Sequence, residues 1–401
     1  MGSQGKHVVI VGAGQSGAAS AQQLRVSGFD GAITLIGEEA HLPYERPQLS
    51  KELLLQDDFK LKSINDSDEF QQLGIDLFLG KKVTMVDATQ KLVVLNDGES
   101  IGYDFLIIAA GVRPRKIPNI QGDNVFYLRT YEDAQQIKSS ISGKQSLAIV
   151  GGGVIGLEVA AAANIKGCDV TVIEASEKLM ARSLTEETSK YLENLHSENG
   201  INIKLGVFVE DVREDGKLLL SDKSEVVADK ILVGVGVTPN TEPFSDLGIT
   251  DEFGIKVDEY GKTEIPEIFA TGDIASQPAG KTYKRIETWA NAQNHAVCVA
   301  KNIMGEKNSC STINWFWSDQ GSINLQVIGT SDAPIKVVRV SEGSNKFSEF
   351  FLDEESTLLG CISFNNPKDI GFARKWMQKG ARIDPALLAD GSVKLKSCEL
   401  Q

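Results

Sequence analysis

The stretch that decides the fold is "HVVIVGAGQSGAASAQQL", residues 7–24. Its short apolar run ends at Gly12 and predicts a buried strand of a parallel sheet, and the alanine-rich part predicts a helix. In G-x-G-x-x-G, Gly12 permits the turn, Gly14 lets backbone N–H groups approach a pyrophosphate, and Gly17 allows close helix–strand packing. A second strand, "AITLIG", precedes Glu38, whose carboxylate can accept hydrogen bonds from a ribose.

The same pattern recurs in "SLAIVGGGVIGLEVAAAANIKG", residues 146–167, followed by the strand "DVTVIEA" with Glu174 at its end. One such pattern alone can be a tight glycine turn of another α/β unit. Two copies, each flanked by a strand and followed by an acid, indicate two dinucleotide sites. Because a carboxylate at Glu174 suits a free ribose 2′-hydroxyl and repels a 2′-phosphate, the second dinucleotide is predicted to be NAD rather than NADP.

Composition narrows the classes of function. A chain of 401 residues can form two or three domains, and a formal charge of -14 argues against a nucleic-acid partner. No apolar run approaches the length of a membrane span, so no membrane partner is expected. The five cysteines are scattered without a C-x-x-C pair, which argues against a zinc ribbon, a dithiol redox pair and a secreted disulfide framework. We therefore expect a cytoplasmic protein, and no metal site is predicted.

Motifs along nearly the whole chain resemble one family. They are "VVIVGAGQSG", "GEEAHLPYERPQLSK", "LIIAAGVRPR", "GGGVIGLEVAA", "VGVGVTPN", "FATGDIA", "RIETWANAQNHA", "WFWSDQ" and "GARIDPALLAD". In this order they resemble the glutathione-reductase-like flavoproteins that use pyridine nucleotides, and among these the NADH-dependent ferredoxin reductases of bacterial oxygenase systems. One departure is "AAG" at 109–111, where relatives often have "ATG".

The resemblance implies an α/β fold with two Rossmann-like dinucleotide-binding domains and a C-terminal α+β domain. The FAD-binding domain is expected at 1–111 and 237–312, with the NAD-binding domain inserted at 112–236. The C-terminal domain is expected at 313–401. Proline soon after two apolar strands, in "AAGVRPRKIP" and "GVGVTPN", fits crossover points between domains.

The resemblance also implies two sets of cofactor-binding residues. The predicted FAD contacts are Gly12, Gly14, Gln15, Ser16, Gly17, Glu38, Arg46, Lys51, Val83, Ala110, Arg129, Asp273, Trp289 and Trp317. The predicted NAD contacts are Gly151, Gly153, Val154, Ile155, Gly156, Glu158, Glu174 and Gly236. Asp273 in "FATGDIA" is expected on the ribityl chain of the flavin, and it could also cap a following helix.

Lys51, Glu158 and Trp317 are the predicted catalytic residues. By resemblance, Lys51 lies beside the isoalloxazine and pairs with an acid, for which Glu158 is the candidate because a buried carboxylate needs a partner. A first-turn glutamate could instead only complement the helix dipole. Trp317 resembles the flavin-side tryptophan of the family, although a core position is the competing interpretation.

Other aromatic and histidine side chains receive structural interpretations. The stretch "ETWANAQNHA", which contains Trp289, is expected to begin a helix that points at the flavin. Trp315 and Phe316 are expected in the core between domains, because aromatic residues bury large areas there. His295 and His41 are not assigned as general bases, because hydride transfer to a flavin needs alignment more than a proton donor.

The segment "HLPYERPQLSKELL", residues 41–54, lies where many related flavoenzymes carry a reactive cysteine, and it has none. With no internal sulfur acceptor expected, electrons must leave to an external partner, and a [2Fe–2S] ferredoxin that supplies a Rieske oxygenase or cytochrome P450 is predicted. Rubredoxin or monodehydroascorbate as acceptor stays open, as does a non-catalytic NADH-sensing flavoprotein similar to apoptosis-inducing factor. Such ferredoxins tend to be acidic, so docking would use local basic residues, some of which could instead contact cofactor phosphates. The candidates are Arg46, Lys51, Arg113, Arg115, Lys116, Lys284, Arg285 and the stretch "RKWMQK" at 374–379, with Arg113 and Arg129 as phosphate-contact candidates.

Overall fold

A computed structural model of the chain describes residues 5–213, 217–341 and 345–400. The α-helices, in chain order, are α1 (Gln15–Val26), α2 (Glu52–Leu55), α3 (Ser67–Gln72), α4 (Tyr131–Ser140), α5 (Val154–Ile165), α6 (Glu186–Glu198), α7 (Trp289–Ile303), α8 (Pro367–Lys379) and α9 (Pro385–Ala389). Shorter 3-10 helices are Arg46–Ser50, Glu242–Leu247, Gly272–Ile274 and Leu395–Cys398.

The β-strands follow the same chain order. They are β1 (His7–Val11), β2 (Ala32–Gly37), β3 (Ile75–Leu79), β4 (Val83–Asp87), β5 (Leu92–Leu95), β6 (Ser100–Gly102), β7 (Phe105–Ile108), β8 (Val112–Pro114), β9 (Val125–Phe126), β10 (Ser146–Val150), β11 (Asp169–Ile173), β12 (Asn202–Lys204), β13 (Val209–Val212), β14 (Lys217–Leu220), β15 (Glu225–Val227), β16 (Lys230–Val233), β17 (Val237–Pro239), β18 (Ile255–Lys256), β19 (Ile268–Ala270), β20 (Ala275–Ala279), β21 (Thr282–Arg285), β22 (Trp315–Gln320), β23 (Ile323–Gly329), β24 (Ile335–Val340), β25 (Phe347–Leu352) and β26 (Leu358–Phe364).

The chain divides into two compact units. The first contains Met1–Glu45, Lys60–Arg113 and Val237–Asn314, and the second contains Arg46–Phe59, Pro114–Gly236 and Trp315–Gln401. The segment 46–59, expected in the FAD-binding domain, therefore groups with the second unit. The three-domain division remains a prediction.

The first unit is built on a parallel sheet of order β19-β7-β1-β2-β3. Its central strands carry fully buried Val9, Ile10 and Leu106, as near-continuous apolar runs of a parallel sheet require. Two small three-stranded sheets, β4-β5-β6 and β18-β20-β21, complete the unit. Helices α1 and α7 pack against each other, which places the first glycine-rich turn beside the start of α7.

The second unit repeats the parallel sheet with the order β12-β11-β10-β16-β9 and adds the antiparallel sheet β13-β14-β15. Its last part is an antiparallel sheet of order β22-β23-β26-β25-β24, against which α8 packs. The structure thus has the predicted α/β class with an α+β C-terminal part. No helix in the described ranges is long and apolar enough to cross a bilayer.

Helix α6 lies on the antiparallel sheet of the second unit. The Tyr191 ring meets the rings of Phe347 and Phe364 edge-on, with centroid distances of 4.9 and 5.1 Å. Such aromatic pairs stabilise an interface beyond the area that they bury. This packing brings His196, one turn further along α6, to the strand β22.

Candidate active site

The first glycine-rich turn fits a dinucleotide phosphate group. Gly12 has φ +111°, and a Cβ there would overlap the carbonyl of Ala109. A Cβ on Gly17 would overlap the Gly12 carbonyl, whereas a Cβ on Gly14 would meet no atom within 4 Å. Two glycines are therefore required by close backbone packing, and Gly14 borders the open space in which phosphate oxygens can approach the N-terminus of α1.

The start of α1 is bonded to the start of α7. Ser16 Oγ donates to the Ala292 carbonyl (2.8 Å), and Gln15 accepts from Trp289 Nε1 (3.0 Å) while donating to Gln293 (2.6 Å). A helix begins within "ETWANAQNHA" as predicted, and its first residue is Trp289 because Thr288 caps it by accepting from the backbone N–H of Asn291. Gln15, Ser16 and Trp289 thus form one group beside the glycine turn.

Three other predicted FAD contacts in the first unit, Asp273, Ala110 and Val83, lie in three different settings. Asp273 is half-buried in the 3-10 helix Gly272–Ile274, directly after β19. Ala110 lies against Gly12, and its carbonyl accepts from Asn240. Val83 is 6% exposed and belongs to the apolar core of the unit.

Glu38 does not occupy the position of an acid that contacts the glycine turn. Its side chain is 66% exposed and lies 2.8 Å from Lys82 Nζ. Val11 pairs with Ile36 just as Val150 pairs with Ile173, so the counterpart of Glu174 is Gly37. Glu38 and Glu174 therefore differ by one residue in strand register, and the FAD contact of Glu38 stays a prediction.

The second glycine-rich turn has the same geometry and a built-in acid. A Cβ on Gly151 would come within 2.5 Å of the Gly234 carbonyl, and one on Gly156 would overlap Gly151, whereas Gly153 again meets no atom within 4 Å. Glu174 accepts from the backbone N–H groups of Gly152 and Ser176, each at 2.7 Å. The acid is thus held against the turn where a ribose would lie.

Three further predicted NAD contacts flank this turn. Val154 begins α5, and the side chain of Ile155 is 42% exposed beside it. Gly236 has φ +107°, and its carbonyl accepts from the Arg115 N–H (3.0 Å).

Lys51 and Glu158 form the predicted ion pair, with 3.3 Å between Lys51 Nζ and Glu158 Oε1. Both side chains are largely withdrawn from water, at 11% and 2% exposed. Ser318 Oγ donates to Oε1 of the glutamate (2.8 Å), and Ser50 donates to Oε2. Burial raises the pKa of Glu158, although Lys51 and the two hydroxyls act in the opposite direction. The result is a buried carboxyl group with three donors.

Trp317 belongs to a stack that ends at this ion pair. Lys51 Nζ lies 5.3 Å from the centroid of the Trp317 ring, and the Trp315 ring stacks on Trp317 with centroids 5.3 Å apart. The guanidinium of Arg374 lies over Trp315 at 4.3 Å and is itself exposed. Strand alternation puts Trp315 and Trp317 on one face of β22 and Phe316 on the other. The core position of Trp315 and Phe316 stays a prediction.

Four of the remaining basic candidates, Arg46, Arg113, Arg285 and Lys379, are engaged inside their own unit. Arg46 donates to the Arg129 carbonyl (2.6 Å), which joins two predicted FAD contacts. Arg113 is paired with Glu242, and Arg285 is paired with Glu287 at 2.7 Å. Of the "RKWMQK" stretch, Lys379 pairs with Glu399.

His295 and His41 are not assigned as general bases, and the structure shows the environment of each ring. His295 is 1% exposed, and neither ring nitrogen has a hydrogen-bond partner in the described part of the chain. Burial lowers the pKa of His295 to about 4, so the ring is neutral at pH 7. His41 meets Tyr44 edge-on, at a centroid distance of 6.5 Å.

The expectation that the scattered cysteines form no disulfide is wrong for one pair. Cys298 and Cys310 are bonded, with Cα atoms 5.6 Å apart. Cys168, Cys361 and Cys398 are free and buried. The disulfide ties the second half of α7 to the segment that follows it. An internal sulfur pair therefore exists, although not in the segment 41–54.

Sequence reasoning missed four residues around Glu158: Ser50, Ser318, Gln320 and His196. A signal for two of them was present in "WFWSDQ", because alternate residues of a strand share a face. That alternation separates Trp315, Trp317 and Asp319 from Phe316, Ser318 and Gln320. The alternation thus places Ser318 and Gln320 on the same face of β22.

Comparison with known proteins agrees with this geometry. Residues 6–296 match the family model described as pyridine nucleotide-disulphide oxidoreductase, and residues 315–399 match the reductase C-terminal model. The chain belongs to the pyridine nucleotide-disulphide oxidoreductase family. Proteins of this family use FAD and NAD(H), which the two glycine-rich turns fit.

Several members of the family are similar over the full chain. The ferredoxin–NAD(+) reductase component of the p-cumate 2,3-dioxygenase system of Pseudomonas putida is 50% identical, covering 99% of this chain and 100% of its own. Rhodocoxin reductase of Rhodococcus erythropolis is 40% identical over 97% and 93%. Putidaredoxin reductase, solved in covalent complex with putidaredoxin, has a TM-score of 0.91 at 32% identity, covering 98% of both chains.

Proposed function

We propose that this chain is an FAD-dependent NADH:ferredoxin oxidoreductase that supplies electrons to a Rieske oxygenase or a cytochrome P450. The observation that carries the proposal is the full-length, 50% identity to a ferredoxin–NAD(+) reductase component. The lack of a cysteine in the segment 41–54 supports an external acceptor. NADH as the donor also supports a cytoplasmic location.

Bound FAD would supply a redox centre that takes two electrons from NADH and releases them one at a time. Backbone N–H groups of the turn at Gly12 and Gly14 would bind the FAD pyrophosphate, and those at Gly151 and Gly153 would bind the NADH pyrophosphate. Glu174 would hold the NADH ribose. Its two backbone hydrogen bonds keep the carboxylate rigid, so binding would cost little reorganisation.

Lys51 and Glu158 would orient the nicotinamide end of NADH. Both are buried and ion-paired, and a buried pair with satisfied hydrogen bonds is positioned more firmly than exposed charges. Trp317, with Lys51 over its ring, would close the same area to water.

The exposed end of the tryptophan stack is the proposed docking side for the ferredoxin. The chain carries a formal charge of -14, so an acidic partner needs a local cation. Arg374 is exposed and stacked on Trp315, whereas Arg113 and Arg285 are neutralised by glutamates. An R374E variant should raise KM for the ferredoxin about tenfold and leave the NADH:ferricyanide rate unchanged, with K379E as the control.

The function is tested with the FAD-loaded protein, NADH, a [2Fe–2S] ferredoxin and cytochrome c as the final acceptor. Reduction of cytochrome c should depend on the ferredoxin. Equal rates without it, or higher rates with rubredoxin or monodehydroascorbate, would contradict the proposal.

The role of Glu158 is tested in the same assay. The E158Q variant should slow bleaching of the flavin by NADH about tenfold, because the amide no longer pairs with Lys51. The control is E349Q, since Glu349 is equally buried and also lies near a lysine, with 3.8 Å to Lys336. If both variants slow bleaching equally, Glu158 has no special role.

A further inference from the structure

A line of hydrogen bonds leads from Glu158 to a buried histidine on another helix. Ser318 Oγ donates to Glu158 (2.8 Å), and Gln320 Nε2 donates to Ser318 Oγ (2.9 Å). Gln320 Oε1 lies 2.6 Å from Nε2 of His196 on α6. All four residues are at most 3% exposed. We call His196, Gln320 and Ser318 the relay.

The relay has a defined direction. A carboxylate can only accept, so the Ser318 hydroxyl must donate to it, and the serine oxygen then accepts from the Gln320 amide. The glutamine carbonyl oxygen accepts in turn, so His196 must carry its proton on Nε2. Each bond thus fixes the orientation of the next, from the helix α6 to the ion pair.

A proton on Oε1 of Glu158, the oxygen that faces Ser318, would reverse that direction. The carboxylic acid would donate to Ser318, the hydroxyl would donate to the glutamine carbonyl oxygen, and the amide would donate to Nε2 of His196. The histidine proton would then have to lie on Nδ1. The tautomer of His196 on α6 is therefore coupled to protonation of Glu158 at Oε1.

We propose that Ser318, Gln320 and His196 are positioning residues that hold the Glu158 carboxylate toward Lys51 and couple its protonation to the His196 tautomer. This inference rests on the role of Glu158 in the proposed function. It assigns a role to Ser318 and Gln320, which share one face of β22 opposite Trp315 and Trp317.

The surroundings favour a functional rather than a purely packing role. An apolar side chain at Ser318 or Gln320 would bury as well without requiring polar partners, and buried polar groups are costly unless all are satisfied. The charged groups that face Glu158 are Lys51 and, through the same ammonium group at 3.8 Å, Asp319. On the α6 side the facing titratable group is His196, whose pKa is lowered by burial.

The inference is tested by ¹⁵N NMR of histidine-labelled, FAD-loaded protein, because the chain has four histidines and the imidazole shifts report the tautomer. In the wild type, His196 should be protonated on Nε2. The E158L substitution should change the His196 signals, because it removes the acceptor of the Ser318 hydroxyl, which can then donate to Gln320 instead. In the Q320M background, E158L should leave those signals unchanged.

Kinetic measurements give the second arm. The S318A variant should bind NAD(H) more weakly or bleach about tenfold more slowly, with a shifted pH profile, and S318T should restore the wild-type values to within about twofold. The control is S348A, which removes a buried hydroxyl from the same sheet, bonded to Ser363 at 2.9 Å. S348A should lose stability without a shifted pH profile.

The two proposals fail in different ways. If E158Q bleaches as fast as the wild type, the role of Glu158 is wrong and the relay has no task. If E158Q is slow but E158L leaves the His196 signals of the wild type unchanged, the relay alone is overturned. A pH profile that S318A and S348A shift equally also overturns it.

Discussion

The two glycine-rich segments of this chain, residues 7–38 and 146–174, have the same backbone arrangement but different side chains at two equivalent positions. Ala19 and Glu158 both stand two residues after the third glycine, and both are buried, at 2% and 3% exposed. Gly37 and Glu174 are likewise equivalent by strand register. One fold element therefore serves two ligands by exchanging small residues for carboxylates at two positions.

The exchange changes what surrounds each helix. Around Ala19, α1 packs on α7 and needs no polar partner from it at that position. Around Glu158, a lysine and two serines converge on α5, because an isolated buried carboxylate would be costly. Segment 146–174 thus carries a buried, ion-paired carboxylate where segment 7–38 carries an alanine.

Equivalent substitutions of the third glycine should give the largest and most different effects. A valine at Gly17 would overlap the Gly12 carbonyl, and a valine at Gly156 would overlap Gly151, each costing about 3 kcal/mol or more. G17V should yield protein without flavin absorbance, whereas G156V should keep the flavin and lose bleaching by NADH. A yellow G17V protein would contradict the assignment of the first unit to FAD.

His295 should make the free energy of unfolding of the first unit fall at acid pH. Its pKa is about 4 when folded and 6.5 in the unfolded chain, so the unfolded chain takes up the proton first. The stability contribution is therefore present above pH 6.5 and is lost as the pH falls towards 4, by roughly 3 kcal/mol. Urea unfolding measured between pH 6.5 and pH 4 should show that the free energy of unfolding falls less steeply with decreasing pH in H295L than in the wild type. An unchanged slope would mean that His295 is not the group responsible.

The two acids at the ends of β2 and β11 should differ in importance. E174A removes two backbone hydrogen bonds and the ribose acceptor, so KM for NADH should rise about tenfold. E38A removes only an exposed pair with Lys82, so flavin retention should change less than about twofold. Loss of flavin from E38A on dilution would instead support Glu38 as an FAD contact.

The smallest effect on turnover is expected from the disulfide. Cys298→Ser should leave ferredoxin-dependent cytochrome c reduction within about twofold of the wild type, since the external acceptor takes the electrons. The free energy of unfolding should fall by about 2 to 3 kcal/mol, because the cross-link no longer restrains the unfolded chain. A large loss of turnover at unchanged stability would assign the sulfur pair a place in electron transfer.

Local patterns were enough to predict both strand–turn–helix segments, and the family resemblance led to the prediction of a helix in "ETWANAQNHA". The Lys51–Glu158 pair was also predicted, from the family resemblance together with the cost of an unpaired buried carboxylate. Spacing could not resolve the one-residue offset between Glu38 and Glu174, because it depends on where β2 stops pairing with β1. That offset becomes visible only when the strands are aligned.

Contacts between distant segments account for the rest. His196 and Gln320 meet because α6 lies on the antiparallel sheet, and neither residue carries a local signal for that packing. Cys298 and Cys310 meet because the chain turns back after α7, at a spacing that matches no redox motif. Pairings of this kind follow from tertiary structure rather than from periodicity.

Strand β22 has a mechanical consequence for the whole reaction. Trp317 and Ser318 are consecutive, so the aromatic ring proposed to lie at the flavin and the hydroxyl that steers Glu158 project from opposite sides of one ribbon of backbone. A slip of this edge strand by a single residue would exchange the two sides and disable both at once. A change in the register of β22 would therefore alter both sides together, whereas a substitution at Trp317 or Ser318 alters one side alone.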